Sequence, residues 1–534
     1  MEWPFSSSYG SAILYVPKGT KQAYQNAYGW SDFYYVEEMD GDALATPTLS
    51  YDGRAITATA PETDVDMYYS TDDFNTVNYY DGPITVSDLG TVKVIAEKTF
   101  RSDSEPASYE VKYLYDGDTL KLAEAGLMAE AIKWCGTDSV VKMTVVGPIS
   151  TDEFSTISTL PKLKFLNLAD AKVDGASLPD GAFANSQIVS FVSPSSLSSV
   201  GSGIFRDCQH LAAVCWKAST ALPADALSGV SNPNLLLYVD SEDQAPEGIN
   251  NVVVDGKAKS ITLTDATGNS NFYVPVAFQV TDTIKYTRNF QQKTEPGVSC
   301  GWETIVLPFT VNKITHETMS NVTITPFANY RGWEEQRPFW LYTLDNNDII
   351  PANGIEANVP YLICMPNADE YGDQYNLAGN VTFMATNVDI AVSKPIEETQ
   401  GDITFVPTYQ SVPASADVFT LNVNQEYKGY PAGSLFVSNF RDVRPFEAYS
   451  IHPSAVAKKV NEARMYSVSS LIGGDGATGI IDVMLKKNDG TDSDTVVKVY
   501  SLSGALIKQG KAEDVTNGLP KGVYVANGKK FVVK

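Results

Sequence analysis

LPDGAFANSQIVSFVSPSSLSSVGSGIFRDCQHLAAVCWKASTALPADALSGV, Leu178 to Val230, carries one step of 22 residues in several columns at once. Leu178, Val200 and Leu222 keep that step, as do Phe183, Phe205 and Leu227; Val189 with Leu211 and Val192 with Val214 repeat it. Independent columns sharing one period mark a chain whose units bury their apolar faces only against their neighbours, which is a solenoid. The spacing predicts that Phe183, Phe205 and Leu227 stack in one buried column. It also predicts which residues lie between the core positions of each strand and face the concave side: Phe165 and Asn167, Phe191 and Ser193, and Ala213 and Cys215. That face is small and weakly polar. It either binds a protein or glycan or is simply hydrated.

The fragments DGAFANSQIVSFV and SGIFRDCQHLAAV resemble leucine-rich repeats of the roughly 22–23-residue class found in bacterial surface proteins. LPKLKFLNLADAKV fits LxxLxxLxL through Leu160, Leu163, Leu166 and Leu168, and the resemblance covers residues 118–255. It implies a packing role for Cys208, which falls where that class places a buried Cys or Asn. Ahead of the repeats, LKLAEAGLMAEAIKW follows a capping Asp118. It sets Leu120, Ala123, Leu127, Ala131 and Trp134 on one helical face, closed by Gly136, which predicts an N-terminal helical cap over 119–134. LYVPKGTKQAYQNAYGWSDFYYVEE, Leu14 to Glu38, reads as a strand, a helical turn and a strand. It resembles the closing unit of such an array, which assigns 1–42 to an array end. The alternative is an N-terminal β-hairpin arm.

Residues 46–115 alternate strongly in ITATA, VDMYYST and TVKVIAE, with Gly, Pro and Asp between the runs. About seven short strands in this span describe an immunoglobulin-like sandwich. MYYSTDD, YYDGPITV and VKVIAEKTFRSDSEPAS are similar to the β-sandwich at the C-terminus of chitobiase and β-hexosaminidase enzymes, where it is an appendage. Asp72 and Asp73 fit a turn better than an acid/base pair. Residues 256–465 are strand-patterned and read as a β-sandwich or a pair of fused sheets. Their YTRNF…GWETIVLPF resembles an uncharacterised β-domain that follows such repeats. Within 475–534, VKVYSLSGALI, LPKGVYV and KKFVVK resemble the C-terminal sorting domain of type IX secretion substrates, a small sandwich; the alternative is a plain terminal module. LIGGDGATG, Leu471 to Gly479, reads as its linker. Nine lysines against seven acids give Asp475–Lys534 a net +2, leaving −27 on the rest.

The expected fold class is therefore mainly β and multidomain, a leucine-rich repeat solenoid with immunoglobulin-like β-sandwiches. A net charge of −25 repels a phosphate backbone, so nucleic acid is excluded as a partner, and no apolar run approaches the ~18 residues of a membrane span. No HExxH, GxSxG or CxxC occurs, and five cysteines leave one unpaired in any single chain. His210, His316 and His452 lie far apart in sequence, and Glu303 has no evident partner, which points to a surface or cross-strand role. No catalytic residue, metal ligand or cofactor is expected. The reading is a secreted or cell-surface interaction protein of a Gram-negative bacterium, exported through outer-membrane machinery and binding a protein or glycan without catalysis. The alternative is a carbohydrate-active enzyme accessory or glycan-binding protein.

Overall fold

A computed structural model of the chain describes residues 7–39, 42–99, 101–266, 269–295, 298–317, 339–343, 352–367, 377–393, 398–400, 403–451, 465–468, 496–501, 506–511, 518–526 and 529–533. It is mainly β, with a β-solenoid-like arrangement. The chain divides into two compact units, 1–207 with 217–228, and 208–216 with 229–534.

In the first unit, strands Ile13–Val16 and Tyr35–Glu38 pair in parallel through Leu14 and Val36, with the helix Lys21–Asn26 between them. A parallel pair excludes the hairpin alternative, because a hairpin is antiparallel by construction. Between Thr48 and Val111 lie two antiparallel sheets. One joins Thr48–Tyr51, Ala55–Thr59 and Ile84–Thr85; the other joins Asn78–Tyr79, Asp66–Ser70, Gly90–Glu97 and Ala107–Val111. Val92, Val94 and Ala96 alternate into the core as the period of two requires. Asp73 and Phe74 take positive φ, and Asp72 accepts bonds from Ser70 Oγ and Thr76 N, so the two aspartates are turn residues.

The helical cap is corrected. Thr119–Leu122 is a strand, pairing antiparallel with Tyr113–Asp116 and parallel with Lys142–Ile149, and the helix is confined to Met128–Cys135. Leu120 and Leu122 are buried, whereas Trp134 is 54% exposed. The helical spacing of LKLAEAGL lost to two ladders, one on each side of the segment, and such tertiary pairing outweighs a fraction of a kcal/mol per residue of helix propensity.

From there the strands Lys142–Ile149, Phe165–Val173 and Ser190–Val192 run parallel in sequence order. The turns stack with the same period as the sequence. Phe183 N donates to Ile204 O and Phe205 N to Ala226 O, so donors and acceptors each advance by 22 residues. Asn185 N to Arg206 O and Asp207 N to Ser228 O repeat the step, with Asn185 and Asp207 both at φ near 60°. Gly201 sits where successive turns touch: a Cβ there would fall 2.4 Å from Asp180 N. The Phe183 and Phe205 rings stack at 5.6 Å and 18°. Leu227 is only half-buried, and its neighbour Ala226 takes the buried position.

In the second unit, Ala213–Cys215, Leu236–Val239 and Asn251–Val254 are parallel. A tight turn at Asp255–Gly256, both at positive φ, leads into Lys257–Thr264. The long strand Phe278–Phe290 then pairs parallel with Lys257–Thr264 and antiparallel with Gly379–Ile390. Glu303–Ile305, Tyr361–Cys364 and Trp340–Thr343 form a three-stranded sheet. Ile403–Thr408, Glu447–Ile451, Phe419–Leu421 and Leu435–Ser438 lie in a six-stranded one, and Leu506–Lys511, Val496–Ser501, Gly522–Ala526 and Lys529–Val533 form a four-stranded antiparallel one. Leu471–Gly479 and His452 lie outside the described residues.

Candidate functional site

Of the six residues expected on a concave face, two remain accessible. Phe165 and Asn167 are half-buried, whereas Phe191, Ser193, Ala213 and Cys215 are buried. The register explains the first pair of corrections. Leu166 pairs with Phe191 and Asn167 with Val192, so Val192, not Phe191, shares the face of Asn167. A slip of one residue turns a side chain to the opposite face of a strand. Phe191 points inward because its ring meets Phe183 and Phe205, each at 5.0 Å. Ser193 accepts a bond from Lys217 N at 2.8 Å and is a turn-to-turn fastener. Ala213 and Cys215 are buried because the strand is covered on both faces. Tyr238, the register partner of Cys215, packs on Phe278 and donates its hydroxyl to Val276 O.

Phe165 borders an open cleft of about 470 Å³ within the first unit, shared with Arg54, Tyr115, Asp118, Val141 and Lys142. Each wall has a local cause. Gly117, at φ 60°, closes the hairpin that puts Asp118 beside the strand Lys142–Ile149. There Thr144 N donates to Asp118 O, and Lys142 Nζ pairs with Asp118 Oδ2 at 3.2 Å. The parallel register of Lys142 with Phe165 puts the two residues side by side on one face of the sheet, and both line the cleft. Tyr115 is buried against the same strand and reaches Lys142 O at 3.4 Å. Arg54 is exposed and makes no ion pair within 4 Å among the described residues. The cleft thus offers aromatic faces, two cations and a carboxylate, the set that holds a polar ligand with one apolar side.

The second unit contains a group that the sequence reading passed over. Glu303 is not a surface residue: it is 2% exposed and meets Arg288 at 3.5 Å. Arg288 lies in the strand Phe278–Phe290, where Ile284, Tyr286, Arg288 and Phe290 alternate onto the buried face. Its guanidinium donates Nε to Asp265 Oδ2 and to Tyr286 Oη, Nη1 to Thr304 O, and Nη2 to Phe446 O. Glu447 receives Arg441 and Arg444, each at 2.7 Å. Burial pushes the Glu303 carboxyl up to about 7, against the pull of Arg288 and Arg444. Burial also acts upward on Glu447, but Arg441 and Arg444 outweigh it and hold that carboxyl near 2. Three guanidinium groups and three carboxylates thus tie together Phe278–Phe290 and the starts of Glu303–Ile305 and Glu447–Ile451. The period-two alternation through YTRNF was the available signal, since it already put an arginine on a core face.

Two of the three histidines are among the described residues, and they differ in burial. His316 is buried in a strand with Nε2 at 2.8 Å from Ala378 O, and His210 is exposed. Among the described residues, no group of three or more His, Cys, Asp and Glu side chains is placed to hold a metal ion. No family model matches the chain, and no curated protein matches it either.

Proposed function

We propose that the chain is a secreted or cell-surface interaction protein that binds a protein or glycan without transforming it, and that the cleft beside Phe165 is its binding site. The observation that carries this reading is that cleft, where two cations, a carboxylate and two aromatic residues line one opening. In this reading residues 118–255 are leucine-rich repeats following an array end at 1–42. Residues 46–115 are an immunoglobulin-like, chitobiase-appendage-like sandwich, 256–465 a β-rich domain, and 475–534 a sorting-like module for outer-membrane export. The aromatic floor favours a glycan, because sugar C–H faces pack on aromatic rings while their hydroxyls take charged partners.

The test is a glycan and protein array probed with the full chain and with Phe165→Ala, alongside a hydrolysis screen on model glycosides. Binding that falls at least tenfold in the variant, with no turnover, supports the reading. Turnover makes the protein an enzyme, and binding indifferent to Phe165 moves the site elsewhere.

A further inference from the structure

Two cysteines of the second unit meet at one corner of a sheet. Cys364 ends the strand Tyr361–Cys364, which pairs antiparallel with Glu303–Ile305 through Ile363 and Glu303. Just ahead of Glu303 the chain turns at Gly301, which takes φ 76°. A Cβ at Gly301 would fall 2.6 Å from Thr294 Cγ2 and 3.4 Å from Cys364 Sγ, so only glycine lets the chain turn this close to that thiol. The turn sets Cys300 against Cys364: the Cys364 thiol donates to Cys300 O at 3.5 Å. The Cys300 thiol reaches Lys293 O at 3.8 Å, a weak contact that a rotation about χ1 gives up at little cost. Both side chains are sealed from solvent. Burial pushes the Cys300 thiol up to about 11 and Cys364 well above its ordinary value, with Cys300 contributing to the second rise.

We propose that Cys300 and Cys364 are a disulfide-forming pair, closed by exchange with a small-molecule disulfide of the glutathione type while this corner of the sheet is open. The Cys364 thiolate attacks one sulfur of the glutathione disulfide, breaks its S–S bond and expels one glutathione thiolate. The Cys300 thiolate then attacks the Cys364 sulfur of the mixed disulfide and expels the second. Two electrons pass from the cysteines to the glutathione disulfide, and the two thiol protons end on the two glutathione molecules released. Burial and raised thiol pKa values slow this exchange in the closed protein, since the thiolate is the attacking species. The bridge therefore forms during folding and is protected afterwards. It would fasten the Gly301 turn to the central strand of the three-stranded sheet, and it stands independently of the binding reading.

The experiment refolds the full chain in a mixture of reduced and oxidised glutathione, alkylates free thiols in denaturant, and maps unreduced peptides by mass spectrometry. The expected map holds one cross-linked peptide pair containing Cys300 and Cys364, lighter than its parts by two hydrogens. Alkylation at those two positions falls at least tenfold, while Cys135, Cys208 and Cys215 stay alkylated. Cys300→Ser abolishes the cross-link and returns Cys364 to the alkylated pool. Full alkylation of all five cysteines after oxidation overturns the proposal, as does a bridge from Cys364 to any other cysteine. Should Cys300→Ser fail to fold, the map of the unmutated chain decides alone.

Discussion

Arg288 Nε donates to Asp265 Oδ2 at 2.8 Å, and both side chains are almost wholly shut off from water. A buried pair of this kind is held by its hydrogen bonds as much as by its charge, because desolvation offsets most of the Coulombic gain. Arg288 spends its donors on Asp265, Tyr286, Thr304 and Phe446, with Glu303 beyond. Arg288→Met should therefore leave the buried Asp265 without its cation and Glu303 with Arg444 alone at 4.0 Å, and cost about 3–5 kcal/mol. Urea denaturation measures it. A loss below about 1 kcal/mol would mean that the network does not hold the sheets together.

Stability should also vary with pH in a direction set by two glutamates. Glu303 titrates near 7 when folded and near 4.5 when unfolded, so the folded state holds the proton more tightly. Its contribution is complete below about pH 4.5 and is lost as pH rises through about 7. Glu447 behaves oppositely: its contribution is present above about pH 4.5 and is lost as pH falls towards 2. Each shift corresponds to roughly 3 kcal/mol. Denaturant midpoints between pH 3 and 8 should fall on the alkaline side in the native chain. Glu303→Gln, which mimics the protonated acid, should flatten that decline, and an unchanged decline would assign it to other groups.

Phe205→Ala should destabilise the first unit by about 3–5 kcal/mol, the usual loss for a buried aromatic. Phe205 stacks on Phe183 and meets Phe191, so its removal opens the centre of the aromatic cluster. Leu227→Ala, at a half-buried position, should cost distinctly less. Thermal melts of the two variants, run side by side, rank them.

Phe191→Ala and Phe165→Ala should separate core from face. The first should cost about 3–5 kcal/mol because Phe191 is fully buried. The second should cost about 1 kcal/mol, in keeping with a half-buried ring, and should act on ligand binding instead. Equal losses of stability would place Phe165 in the core as well.

Deletion of Asp475–Lys534 should abolish surface display in a host with type IX secretion while leaving the protein expressed. Cell-surface labelling with an antibody against the remaining chain reads the outcome. A truncated protein that still reaches the surface leaves the tail as a terminal module only.

The amino-acid order alone determined the period of the stack. The 22-residue columns became hydrogen bonds that advance by 22, and the glycines and Asn or Asp of the turns fall at equivalent positions with positive φ. It also held the alternation that puts Arg288 on a buried face. Of the six face residues proposed from spacing, Phe165 and Asn167 alone kept some access to solvent, and Phe165 alone borders the cleft. Phe191 and Val192 are both apolar, and a period of 22 cannot tell which turns inward; contact with Phe183 and Phe205 did. Leu120 fits a helical face with Ala123 and Leu127 as well as a strand alternation with Leu122, until Tyr113–Asp116 and Lys142–Ile149 supplied a ladder on each side. Glu303 showed no partner because its partners lie 15 residues before it and more than 140 after it. Local patterning fixes what each segment can become, whereas burial and charge pairing are properties of segments brought together from far along the chain, and only the packed structure decides them.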